Sequence, residues 1–286
     1  MRYERPNTAN EAASLLAQPS TTAHILAGGT DLLVKMQSDQ FNADLIIDIK
    51  SIKGMRDIVE DENGFTIGAA VPCAALGEHE GLKTAWPGLV EAANLIGSNQ
   101  IQSRCTLSGN LCNASPAADS VPALVAAGAK ALVVGTEGER AIPVEDIPLA
   151  PGRTALKRDE FIRALHVPAP SPHSADAYLR FTPRTEMDIA VVGVAVALTR
   201  SADGRVSEAR VCLGAVGPKV ILATEAADLI IDTALEETVL ESLAQHCANA
   251  ASPIDDKRGT VAFRKHVAGV LAKRSALIAY ERAGEK

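Results

Sequence analysis

The sequence predicts an α+β protein built from more than one unit, and three observations lead there. Short apolar runs are separated by turn signals such as Asn63-Gly64 and Asp203-Gly204, the pattern of antiparallel hairpins. Longer stretches with apolar residues at helical spacing lie between and after them. The stretch "PAPSPHSA", starting at Pro168, puts three prolines into eight residues and marks the best candidate boundary in a chain of 286 residues.

Taken in order, "TANE" has the spacing of a capping box, Thr8 to Glu11, ahead of Ala12, Leu15 and Leu16, so a short helix is expected there. "AHILAGGTDLLVKMQS" reads as a strand, a glycine turn and a helix starting near Thr30 or Asp31, with Asp31 as its capping residue. "ADLIIDIKSI" is a second strand, and "GMRDIVEDENGFTIGAAV" a hairpin turning at Asn63 and Gly64. "GLVEAANLIG" and "VPALVAAGA" are helical and flank a polar segment, "TLSGNLCNASPAAD", Thr106 to Asp119. "KALVVGTEGERAIPVED" is a further hairpin, and "DEFIRALHVP" a strand ending at Pro168. Beyond the boundary come three strands, then two or three helices. The longest runs from about Thr260 to Arg282, with Val261, Val267, Val270, Leu271, Leu277 and Ile278 on one side and basic residues opposite.

Composition excludes several classes. Hydrophobic residues are 47% and charged residues 22%, which fits a globular chain and not a disordered one. A net charge of −7 and an aromatic content of 3% argue against a nucleic-acid partner, which needs a basic face and stacking platforms. No transmembrane segment is expected, because no run of 18 apolar residues occurs, and "MRYERPNTANEAASLL" has no signal-peptide core, so the expected location is cytoplasmic. Five cysteines without a CxxC spacing suit reduced thiols and no metal cluster on this chain.

Two polar segments stand out. "AGGTDLL" sets Gly28 and Gly29 where a strand gives way to a helix, a place where free N–H groups suit a phosphate. In "TLSGNLCNASPAAD" the hydroxyls and amides of Thr106, Ser108, Asn110, Asn113 and Ser115 surround Gly109, as anion or nucleotide binding would use them. A helix start with Ser115 as N-cap and Pro116 at the first position explains only the end of that segment. No G-x-G-x-x-G after a strand, G-x-x-x-x-G-K-[ST], G-x-S-x-G or H-E-x-x-H is present, the six histidines are scattered, and no carboxylate pair singles itself out. No catalytic residue is therefore expected.

Together, "LAGGTDLLVKM" and "TLSGNLCNASPAADSVPALVAAGA" resemble the two flavin-diphosphate loops of the FAD-binding subunit of molybdenum hydroxylases, the family of the medium subunit of aerobic carbon monoxide dehydrogenase and of the matching part of xanthine dehydrogenase. "YERP", "DIAVVGVAVAL", "ARVCLGAVGP" and "ASPIDDKRG" with "FRKHVAGVLAKRSA" fit the same family in the same order. The resemblance implies a vanillyl-alcohol-oxidase-type FAD-binding fold in two subdomains, residues 1–55 and 56–172, and a C-terminal domain, residues 173–286, with a three-stranded antiparallel sheet and helices. It implies noncovalent FAD, with Ile25, Leu26, Ala27, Gly28, Gly29, Thr30, Asp31 and Leu32 as the first loop and Thr106, Ser108, Gly109 and Asn110 as the second. Asp119 would lie near the ribose or adenine end, and Ile96, Ile162 and Arg180 around the flavin.

Two positions depart from the family's pattern. Its second loop usually reads T-x-G-G-N, and Ser108 replaces the first glycine, which a left-handed turn would tolerate poorly. Ile96 stands where xanthine dehydrogenase has an aromatic residue, so the ring is expected to rest on aliphatic groups. The implied function is the electron exit of an oxidoreductase. A large subunit would hold molybdopterin, a small subunit two [2Fe-2S] clusters, and FAD on this chain would pass electrons to an external acceptor. A heterohexamer of two such three-subunit units is implied, and an additional [4Fe-4S] cluster is not. A stand-alone flavin reductase of the same fold and a cofactor-free assembly or adaptor protein are the alternatives, the last favoured only by Ser108.

Overall fold

The computed structural model describes residues 1–38 and 41–286. The first layer holds β1 (Arg2–Glu4), α1 (Ala9–Leu16), β2 (Ala23–Leu26), α2 (Leu32–Lys35) and β3 (Leu45–Asp48), with strands parallel in the order β1-β3-β2. The capping box forms: Thr8 Oγ1 accepts from Glu11 N at 3.2 Å and Glu11 Oε2 from Thr8 N at 3.3 Å. Leu45 and Ile47 are fully buried against Ala12 and Ala13 of α1.

The second layer runs through β4 (Ile58–Asp61), β5 (Gly64–Gly68), α3 (Cys73–Glu78), α4 (Glu80–Ala85), α5 (Pro87–Asn94), α6 (Asn99–Gln102), α7 (Leu107–Cys112), α8 (Ser120–Ala126), β6 (Lys130–Gly135), β7 (Gly138–Pro143), β8 (Pro148–Ala150), β9 (Arg153–Thr154) and β10 (Phe161–Pro168). Its main sheet is antiparallel in the order β4-β5-β10-β6-β7. The first hairpin turns one residue earlier than expected. Asp61 pairs with Gly64, so Glu62 and Asn63 make the turn, because Asp61 Oδ1 captures Asn63 N at 2.8 Å and leaves Gly64, φ +125°, to open β5.

The third layer holds β11 (Ser174–Phe181), β12 (Val192–Arg200), β13 (Val206–Gly214), β14 (Ile221–Leu222), α9 (Thr224–Asp228), α10 (Glu237–Ala250) and α11 (Val261–Gly284). The three expected strands form with their turn at Asp203-Gly204, and the two-residue β14 adds a fourth at the edge. β12 is apolar almost throughout because the sheet is covered on both faces. Ala195 and Ala197 join the core of the second layer, while Val194, Val196 and Leu198 join the core under α10 and α11.

The face of α11 is the expected one only in part: Leu271 is buried and Val267 and Ile278 pack against the core. Ala268, Ala272, Ala276, Ala279 and Ala283 are buried, whereas Val261 and Leu277 are 37% and 38% exposed. Close packing on sheet and helix selects small residues: a Cβ on Gly269 would lie 2.7 Å from Ala244 O. The basic residues are also not all on a wet face. Arg264 is buried and donates to Val191 O at 2.9 Å and to Asp256 Oδ1 at 2.6 Å.

The second and third layers are joined at a helix end. Pro87 opens α5 and its cap residue Trp86 supplies no side-chain bond, so Asp176 of β11 does, accepting from Gly88 N at 2.8 Å and Leu89 N at 2.9 Å. Burial pushes this carboxyl up to about 7 against those two donors. A raised folded-state value favours the protonated form, so the contribution is full below the unfolded value of 3.8 and is lost as pH rises through about 7. Stability should therefore decline between about pH 4 and pH 7 by up to roughly 4 kcal/mol from this group. Urea midpoints across that range check it: Asp176→Asn should flatten the decline, and an equal decline in the variant would assign it elsewhere.

Candidate functional site

The two polar segments meet, main chain against main chain. β2 ends at Leu26, Gly29 adopts φ +84°, and its carbonyl accepts from Leu33 N at 2.9 Å to start α2. Gly28 lies on the segment before α7 so closely that a Cβ there would stand 2.0 Å from Arg104 O and 3.0 Å from Cys105 Cα. Gly28 thus serves close approach and Gly29 the left-handed turn.

The second loop is a short helix start. Thr106 is the N-cap of α7, its Oγ1 accepting from Gly109 N at 2.9 Å. Asn110 Oδ1 accepts from the Ser120 hydroxyl at 2.7 Å and from Ser120 N at 3.3 Å, which ties α7 to α8. Ser108 sits in the first turn of α7 and not in a left-handed conformation, so a Cβ is tolerated there and the feature that favoured a cofactor-free chain is gone. Ser115 does not cap a helix. Its hydroxyl accepts from Ala117 N at 3.3 Å in a turn, and α8 starts only after Asp119.

Both loops line one cavity of about 400 Å³, within the range of small-molecule sites. Of the expected residues, Ile25, Ala27, Gly28, Gly29, Thr30, Asp31, Leu32, Ile96, Thr106, Ser108, Gly109, Asn110 and Ile162 line it. Among the described residues the N–H groups of Gly28, Gly29, Thr30, Asp31, Leu107 and Ser108 donate to no protein acceptor. Such a row of free donors beside the Thr30 and Ser108 hydroxyls is what a diphosphate needs, and it would be costly without a ligand or water.

Three expected residues lie elsewhere. Leu26 does not line the cavity; a Cβ on Gly29 would lie 2.9 Å from its Cδ1. Asp119 and Arg180 are spent on each other: Arg180 Nη1 donates to Asp119 Oδ2 at 2.8 Å and the Tyr178 hydroxyl to Asp119 Oδ1 at 3.1 Å. Burial raises the Asp119 carboxyl and the Arg180 guanidinium opposes the rise. The pair clasps α8 to β11, and neither residue lines the cavity.

Asp31 also differs from its expected role. It makes no side-chain cap; its Oδ1 accepts from Asn113 Nδ2 at 3.1 Å, and Asn113 Oδ1 accepts from Lys35 Nζ at 2.6 Å. Asn113 thereby bridges the two loops, and Lys35 brings a cation to the cavity. Sequence reasoning passed over Lys35, although it lies one helical turn after Asp31. It also passed over Phe41, Phe161 and His24. The lining is not purely aliphatic: His24 and Phe41 stack with centroids 4.7 Å apart, beside Ile49, Ile96 and Ile162. A rare aromatic residue inside the polar stretch "SDQFNAD" was the available signal. Glu160 reaches the same cavity with its charge answered, held below the usual carboxylate range by Arg140, which donates at 2.9 and 2.8 Å.

A chain with this fold and two abutting glycine loops has the form of a nucleotide-cofactor binder, and the comparisons agree. A family model described as "FAD binding domain in molybdopterin dehydrogenase" matches residues 1–170, and one described as "CO dehydrogenase flavoprotein C-terminal domain" matches residues 177–279. The chain belongs to this family of FAD-binding subunits of molybdenum hydroxylases, and so to the oxidoreductases. It is 30% identical to the xanthine dehydrogenase FAD-binding subunit of Escherichia coli O157:H7, over 99% of this chain and 97% of that one. It is 28% identical to the carbon monoxide dehydrogenase medium chain of Hydrogenophaga pseudoflava, over 98% of this chain and 97% of that one. Among solved structures, reconstituted CO dehydrogenase from Oligotropha carboxidovorans superposes with a TM-score of 0.94 at 28% identity, over 99% of this chain and 98% of that one.

Proposed function

We propose that this chain is the flavin-bearing electron exit of a molybdenum hydroxylase assembly. The observation that carries the reading is the row of free N–H groups on two loops that touch at Gly28, facing one cavity. FAD, when bound, interconverts one-electron delivery from a partner's [2Fe-2S] clusters and one- or two-electron release to an external acceptor.

The chain's own residues bind and orient. Gly28, Gly29, Thr30 and Asp31 with Ser108 supply main-chain donors to the diphosphate, and Lys35 adds positive charge. Ile25, Ile96, Ile162, Phe41 and Phe161 exclude water from the planar parts. Asp119 and Arg180 brace the second loop from behind. The reading includes a large molybdopterin subunit and a small iron–sulfur subunit as partners. It also includes the division into residues 1–55, 56–172 and 173–286. No helix among the described residues is long and apolar enough to cross a membrane, and five free cysteines support a reducing, cytoplasmic setting.

The test is a visible absorbance spectrum of the purified full chain, with the chromophore released by denaturation and identified by mass. Noncovalent FAD at about one per chain is expected. A folded chain that is colourless and takes up no added FAD overturns the reading.

A further inference from the structure

Cys73 and Cys105 are far apart in sequence and adjacent in the fold. Cys73 opens α3, Cys105 immediately precedes Thr106, and Cys73 N donates to Cys105 O at 2.8 Å. Their thiols are close enough to shift each other's ionisation. Cys73 is fully buried and Cys105 is 4% exposed, yet only Cys105 lines the cavity. Main chains bonded directly to each other lie within the reach of a disulfide.

We propose that Cys73 and Cys105 are a redox-active pair that closes to a reversible disulfide when a peroxide enters the cavity. Cys105 is the attacking sulfur, because it alone of the pair lines the cavity. The neighbouring Cys73 holds the Cys105 thiol below the usual cysteine range, while Cys105 and burial push Cys73 above it. The Cys105 thiolate attacks one peroxide oxygen, the O–O bond breaks, and the departing oxygen leaves as water once protonated. The Cys73 sulfur then attacks the Cys105 sulfur, the S–S bond forms as the S–O bond breaks, and the hydroxyl leaves with the Cys73 proton as a second water. Two thiols and one peroxide become one disulfide and two waters, the peroxide taking both electrons.

The bond would tighten the floor of the two loops, since Gly28 rests against Cys105. The step needs no bound flavin and stands whether or not FAD occupies the site.

The full chain, reduced and then treated with hydrogen peroxide, should lose about 2 Da in intact mass, regained with dithiothreitol, and peptide mapping should place the link between Cys73 and Cys105. Cys73→Ser should instead trap a dimedone adduct on Cys105, while Cys105→Ser should leave Cys73 unmodified. A folded wild type that forms no Cys73–Cys105 link under peroxide overturns the proposal, as does a dimedone adduct on Cys73 in Cys105→Ser.

Discussion

Gly28→Ala is expected to lower flavin content and thermal stability together. The atoms an added Cβ would meet are Arg104 O at 2.0 Å, Arg104 C at 2.8 Å and Cys105 Cα at 3.0 Å, all main chain, so no side-chain rotation relieves the clash. The loops must part, at about 1–3 kcal/mol for overpacking, and at about 1.4 kcal/mol per tenfold the flavin affinity falls by roughly 5- to 150-fold. Gly29→Ala is the graded comparison: its Cβ meets only the Leu26 and Leu33 side chains, leaving about 1–2 kcal/mol of left-handed strain. Bound flavin per chain and the melting temperature read both effects. A Gly28→Ala chain with wild-type flavin content and melting temperature would falsify the abutting-loop account.

Arg180→Met is expected to destabilise the fold by about 3–5 kcal/mol, because it strands Asp119 as a buried, unanswered carboxylate. The two side chains are only 5% and 10% exposed, so solvent screens little of the loss. The sign with pH follows from Asp119. Burial already raises its folded value above 3.8 and Arg180 opposes that rise; without Arg180 it rises further. A raised carboxyl is tolerated protonated and penalised ionised, so the variant should approach the wild type in acid and fall behind as pH increases. The double substitution Asp119→Leu with Arg180→Met should recover much of the loss, since no buried charge remains. Urea unfolding of the three chains at two pH values measures this. A double variant as unstable as Arg180→Met alone would show that the pair is not the cause.

Local signals in the sequence were legible where the physics is local. The Thr8–Glu11 capping box, the Asp203-Gly204 turn and the left-handed turn at Gly29 each act within a few residues of themselves, and each does in the structure what its spacing indicates. Errors came where a partner from elsewhere decides. The large apolar residues of α11 marked the buried face only in part: Leu271 is buried, but the sheet and α10 approach so closely that five alanines fill much of the contact while Val261 and Leu277 stay exposed. Asp31 looked like a helix cap and is a bridge to Asn113, which lies 82 residues away. Where the sequence could say nothing at all is the pairing of Asp119 with Arg180, 61 residues apart.

The sequence by itself determined the α+β class, the hairpins, the two glycine loops and the family, because these rest on backbone preference, turn chemistry and ordered motifs. Only the tertiary structure decided that Gly28 is required by Arg104, that Asp176 of β11 caps α5, that Lys35 and Phe41 reach the cavity and that Cys73 faces Cys105. Those pairings join residues with no shared periodicity. Close approach, charge compensation and thiol contact depend on distance in space, which a linear spacing does not encode.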